Sequence, residues 1–193
     1  MDILRAALAP EVADILFLPP SPGEAVISQV VQVSDTLDLI SITFDYELSF
    51  VIAFATVIDQ ANGDDDFLRQ MAEAWTVFCA NEQVVPDARI VKFFRRDADS
   101  DDMFDPAKYP LPRPFTIWQL QDALTLALVS YTQERPGVQQ FFFFPQSEAL
   151  DCWYGRLSRK FCSPMGALNS GIVFRQIARP EKDTGGFYGY ERA

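Results

Sequence analysis

Acidic side chains at short, regular spacing are the residues of this chain best placed to do chemistry. In Asp97-Ala98-Asp99-Ser100-Asp101-Asp102-Met103-Phe104-Asp105 the acids fall at alternate positions, with an apolar residue eighth and an acid ninth. A calcium loop presents oxygen ligands in this way, so Asp97, Asp99, Asp101 and Asp105 form a candidate cation site. The sixth position holds Asp102 where such a loop needs glycine for its sharp turn. The twelfth holds Lys108 where the closing glutamate belongs. The competing reading is a solvated acidic loop. Asp45 and Glu47 lie two apart on the polar side of an alternating stretch, which on a strand separates them by roughly 6–7 Å. Carboxylates at that distance can share acid/base work or a metal; they are equally the wet face of an outer strand.

Absent residue types exclude more than present ones include. The chain has no histidine, which removes Ser-His-Asp and Cys-His catalysis, zinc proteases built on HExxH, and every imidazole metal site. It also lacks the GxSxG and SxxK nucleophile patterns. Cys79, Cys152 and Cys162 are odd in number and form no CxxC, so no disulfide framework is expected. Cys79 and Cys152 fall on apolar helical stripes, where a free thiol acts as a small hydrophobe.

Gln60-Ala61-Asn62-Gly63-Asp64-Asp65 follows an apolar strand candidate and opens a helix. The segment resembles the acyl-CoA-binding turn of the GNAT acetyltransferases, Gln/Arg-x-x-Gly-x-Gly/Ala, with Gln60 and Gly63 on the matching positions. The resemblance implies a turn whose backbone N–H groups, with the helix N-terminus, hold a pyrophosphate. Asp65 stands where that family has a small residue. Asp64, Asp65 and Asp66 would set three carboxylates beside the pyrophosphate, and each like charge opposes its binding. Acids at a helix start also suit the macrodipole with no ligand present. The resemblance thus implies a GNAT-like acyltransferase or its inactive descendant, and no cofactor is expected to be held in the usual manner.

Charge is unevenly placed. Sixteen Lys and Arg against 27 Asp and Glu leave −11. Residues 1–68 carry Arg5 as their one base against twelve acids, which is the entire imbalance. Such a segment repels nucleic acid and anionic lipid and attracts a basic protein surface or a cation. Asp45, Glu47, Asp64, Asp65 and Asp66 are the candidate partner-binding residues. Arg156, Arg159, Lys160, Arg175 and Arg179 gather toward the other end, as helix C-termini favour, or as a match for the acidic third.

The elements that must position these groups follow from periodicity. Residues 3–17 predict one or two short helices interrupted at Pro10, and 25–33 predict a strand with a turn at Ser34-Asp35-Thr36. Ile40 to Phe50 alternates strictly, with Ile42, Phe44, Tyr46, Leu48 and Phe50 on one face, the pattern of a half-buried strand. Phe50 to Ile58 is apolar throughout and fits a strand or a helix. A helix is predicted over 65–82 and a strand over 88–95, followed by a polar, proline-rich loop over 96–114. Thr116 and Gln119 form a capping box for a helix with the stripe Leu120, Leu124, Ala127, Leu128 and Tyr131. Four consecutive Phe, 141–144, demand a strand covered on both faces. Ser147 caps a helix with the stripe Leu150, Trp153, Tyr154, Leu157 and Phe161, and strands are predicted at 171–177 and 187–190.

Together these elements predict an α/β (α+β) fold in one domain, 1–193, with a mixed sheet and helices on both faces. The coarse topology is compatible with a GNAT-like sandwich, and 88–145 and 138–177 read as right-handed crossovers. The longest apolar run, Leu48 to Ile58, is eleven residues including Ser49 and Thr56, short of the ~20 a membrane helix needs. The first residues show no basic leader, so a cytoplasmic location without membrane or nucleic-acid partners is expected. The function expected is a non-catalytic intracellular binding protein, immunity- or inhibitor-like, whose acidic third engages a basic protein partner and gains association rate from opposite charge. The alternatives are the GNAT-like enzyme and an acidic-loop cation binder.

Overall fold

A computed structural model describes residues 7, 9–19, 24–45, 48–57, 85, 87–99, 108–113, 115–145, 147–162, 174–178 and 187–192. Among them the strands are β1 (Val26–Ile27), β2 (Val31–Ser34), β3 (Leu37–Thr43), β4 (Ser49–Thr56), β5 (Arg89–Arg95), β6 (Gln140–Phe143), β7 (Phe174–Ala178) and β8 (Tyr188–Arg192). The helices are α1 (Pro10–Leu16), α2 (Ile117–Glu134) and α3 (Glu148–Phe161). Both parallel and antiparallel pairs occur, so the fold is the mixed α/β class that the sequence predicts. Contacts divide the chain into two compact units, Met1–Phe54 with Lys92–Arg135, and Ala55–Val91 with Pro136–Ala193.

In the first unit the strand order is β1-β3-β4-β5, and β2 also pairs with β3. β1 and β2 run antiparallel to β3, with Val26 opposite Thr43 and Val31 opposite Leu39. The predicted turn closes that hairpin, the Thr36 N–H donating to the Ser34 hydroxyl at 3.3 Å. Every residue of β3 is buried, including Asp38, Ser41 and Thr43. Strand side chains alternate between faces, and the two parities meet different helices. Asp38 accepts from the Tyr131 hydroxyl of α2 at 2.8 Å, while the Ser41 hydroxyl donates to the Leu16 carbonyl at the end of α1. Helices therefore cover both faces of β3, and the polar face predicted to be wet is an internal one. Phe54 of β4 stacks flat on Tyr131, with centroids 3.7 Å apart.

One boundary differs from expectation in this unit. The alternating stretch 40–50 is a strand, a turn and a second strand: β3 ends at Thr43, the Phe44 N–H donates to the Leu48 carbonyl at 2.8 Å, and β4 starts at Ser49. Near the start, Ala7 is helical, Ala9 is not, and Pro10 opens α1. This fits the expected interruption at Pro10, where a first-turn residue has no intrahelical N–H bond to lose.

In the second unit the order is β5-β6-β8-β7. β5 and β6 are parallel, as the predicted 88–145 crossover requires, with Ile90 opposite Phe142. The stretch 138–177 does not join neighbours. β8 sits between β6 and β7, antiparallel to both. The Phe run is buried on two faces as predicted. Phe143 meets Tyr154 of α3 at 5.4 Å and Tyr190 of β8 at 5.6 Å, while Phe142 and Phe144 meet Phe187 at 5.7 and 5.2 Å. Val57, Ala88 and Ile90 complete the core around Phe142 and Phe187. Ser147 caps α3 by accepting from the Leu150 N–H at 3.2 Å. Leu150, Trp153, Tyr154 and Leu157 form its buried stripe. Cys152 is exposed, contrary to expectation, because it lies two residues from Leu150 and Tyr154 and so across the helix from them. At Gly155 a Cβ would stand 3.3 Å from the Tyr188 hydroxyl, which is held by the Asp151 carboxylate at 2.9 Å. The helix predicted over 65–82 lies outside the described residues.

Candidate functional site

The first unit carries a groove where the β3–β4 turn meets the start of α2. Local chemistry fixes both walls. Thr116 is extended, its hydroxyl accepts from the Gln119 N–H at 3.4 Å, and the Gln119 side chain accepts from the Thr116 N–H at 2.9 Å. This predicted capping box supplies partners for N–H groups that a helix start leaves open. Just before it, the Phe115 N–H donates to the Pro112 carbonyl at 2.8 Å and turns the incoming loop. The Phe115 ring then packs edge-on against Phe44, centroids 4.4 Å apart, and Phe44 meets Phe50 at 6.2 Å. The first contact ties the helix start to the turn, and the second ties the turn to β4.

The resulting cavity measures about 490 Å³. Its apolar floor and walls include Phe44, Leu48, Phe115, Ala123 and Leu126; its charged lining is Glu24, Asp45, Asp122 and Arg113. Three carboxylates and one guanidinium leave the lining net negative over an apolar base. Leu126 is 56% exposed and Trp118, two turns earlier on α2, is 58% exposed. Trp118, Asp122 and Leu126 are spaced by four and share one side of the helix, away from the buried stripe of Leu120, Leu124, Ala127, Leu128 and Tyr131. Such a lining can bind a group that is apolar at its centre and cationic at its edge. Among the described lining residues there is no Ser, Thr, Cys or Lys.

Of the residues singled out from sequence, Asp45 lines this groove, from the turn and not from a strand face. Asp45 lies past the end of β3 at Thr43 and before β4 begins at Ser49, so it is not on a strand face as expected, and its expected partner Glu47 falls outside the described residues. Glu47, Gln60, Gly63, Asp64, Asp65, Asp66, Asp101 and Asp105 lie outside the described residues. Asp97 is engaged by Arg95, with contacts of 2.8 Å from Nε and 2.5 Å from Nη2. That hydrogen bond holds the Asp97 carboxyl below the usual carboxylate range. The Asp99 backbone N–H donates to the Tyr109 hydroxyl at 2.8 Å. Among the described residues no three Asp, Glu, Cys or His side chains gather at metal-binding distance. Glu24, Asp122 and the apolar lining were missed by the sequence reading. The available signal was Trp118 and Leu126, large apolar residues on the wrong side of an amphipathic helix.

A second polar constellation is internal. Asp38, 5% exposed, takes the Tyr131 hydroxyl and also Arg135, at 3.3 Å from Nε and 3.2 Å from Nη2. The bond to Asp38 pushes the Arg135 guanidinium further toward its charged form. A buried carboxylate needs such partners, and the arrangement satisfies a core. No family model, no curated protein and no solved structure matches the chain. Among the described residues no helix is long and apolar enough to cross a membrane.

Proposed function

We propose that this protein is a non-catalytic cytoplasmic binding protein that engages a basic protein partner, in the manner of an immunity protein or inhibitor. The observation that carries the reading is the groove of the first unit, lined by Glu24, Asp45 and Asp122 against the single Arg113, with the apolar residues Phe44, Leu48, Phe115 and Leu126. The charge of residues 1–68, one base against twelve acids, supplies the longer-range field that draws a basic surface toward it. Apolar area at the centre with charge at the rim is the usual division of labour in a recognition surface.

The test is capture from native lysate at low and at high salt by the wild-type chain and by Asp45→Asn/Asp122→Asn. The reading expects a stoichiometric basic protein, retained at low salt, reduced at high salt and reduced again by the double substitution. Retention indifferent to salt, or no stoichiometric protein at either salt, contradicts it.

A further inference from the structure

We infer that the groove and the outer side of α2 receive an amphipathic basic helix of the partner, with an arginine or lysine set between two bulky apolar residues at i, i+4 and i+8. This inference rests on the binding-protein reading and names what its site recognises. Three features of the surface carry it.

The first is openness. A cavity of about 490 Å³ falls within the size range of small-molecule pockets, but those bury most of their ligand. Here the wall residue Leu126 is 56% exposed, and Trp118 beyond it is 58% exposed. The apolar surface therefore continues past the groove along the helix, as an occupant longer than a metabolite would need. The second is order. Trp118, Asp122 and Leu126 alternate apolar, acidic, apolar along one row of α2, and each step of four residues rises about 6 Å. A second helix carries a row of the same spacing, about 6 Å, that can interdigitate with this one, so that one cationic side chain reaches Asp122 while the apolar residues four before and after it cover Trp118 and Leu126. The third is charge. Glu24, Asp45 and Asp122 stand in the lining against the one guanidinium of Arg113, so the net negative charge favours a cationic row and opposes an acidic one.

The chain has three tryptophans. Trp118 is 58% exposed and Trp153 of α3 is 6% exposed, while Trp75 lies outside the described residues. The signal of Trp118 is taken as the difference between wild type and the Trp118→Phe variant. The probe is a tryptophan-free, Ala/Gln-based helical peptide carrying Leu-x-x-x-Arg-x-x-x-Leu. Two control peptides carry Leu, Glu, Leu and Ala, Arg, Ala at the same three positions. The expected result is a blue shift and quencher protection of Trp118 with the Leu-Arg-Leu peptide. It should bind at least tenfold more tightly than either control, and about fivefold more weakly to Leu126→Ser and to Asp122→Asn. Leu126 and Asp122 are exposed, so both variants should fold, and circular dichroism checks that. Equal binding of Ala-Arg-Ala reduces the site to charge alone and overturns the inference; equal binding of Leu-Glu-Leu reduces it to grease and does the same. Protection of Trp118 in the free protein that disappears on dilution makes a second copy the occupant and also overturns it. If a basic protein is captured from lysate with the salt dependence described above, yet Leu126→Ser retains it fully, the binding-protein reading stands and this inference falls.

Discussion

Tyr131 joins the two kinds of interaction that hold the first unit, since its ring lies on Phe54 and its hydroxyl on Asp38. Tyr131→Phe keeps the stack and removes one partner from a buried carboxylate, leaving Arg135 to satisfy it. We expect a loss of about 1–2 kcal/mol in urea unfolding, against about 3–5 kcal/mol for Tyr131→Ala, which also empties the ring's volume. Equal losses in the two variants would mean that the hydroxyl, and not the stack, dominates. Neither the buried carboxylate nor its partners could be read from sequence. Asp38 lies 93 residues from Tyr131, and an acid in a strand-like stretch reads by default as solvent-facing. Ser41 is buried for an equally non-local reason, since its hydroxyl donates to the Leu16 carbonyl 25 residues away.

Elements differ in how plainly the sequence announces them. The start and stripe of α2 were legible because a capping box and a 3.6-residue period are local signals: Thr116, Gln119 and the five stripe residues all fall where predicted. The β3–β4 turn was not. Its residues Phe44 to Leu48 contain no Gly or Pro and continue the period of two, so one long strand fitted as well as two short ones. The physical reason is that Phe44 and Leu48 are spent on the groove, not on a strand face. Thr116→Ala should cost about 1 kcal/mol by removing the cap. Because Phe115 adjoins that cap and packs on Phe44, the same variant should weaken binding at the groove, measured by titration beside thermal unfolding. Stability lost with binding unchanged would separate the cap from the site.

The second unit offers a prediction in pH. Burial pushes the phenols of Tyr154 in α3 and Tyr190 in β8 well above the ordinary tyrosine range. A raised folded value favours the neutral form, so this stabilisation is fully present below the unfolded value of about 10 and is lost as pH rises beyond it. Thermal stability should fall above about pH 10, with tyrosinate absorbance for these two rings appearing only as the chain unfolds. Replacement of Tyr190 by Phe should flatten that alkaline fall. Tyrosinate formation in the intact fold would contradict the burial assigned to them.

At the scale of the whole molecule, the uneven charge was plain from sequence while its use was not. Asp38 belongs to the acidic third by position, yet it is neutralised internally by Arg135. Asp122 lies in the balanced remainder, yet it joins Glu24 and Asp45 in the groove. Counting by segment therefore located the field but not the surface, since a fold regroups charges that the chain separates. Asp45 is the point where the two descriptions meet. The most direct measurement is the association rate of the captured basic partner across a range of ionic strength, for wild type and for Asp45→Asn/Asp122→Asn. The account predicts a wild-type rate that falls steeply as salt is added, a slower variant at low salt, and convergence of the two at high salt. A rate that is flat with salt and equal in both proteins would contradict it.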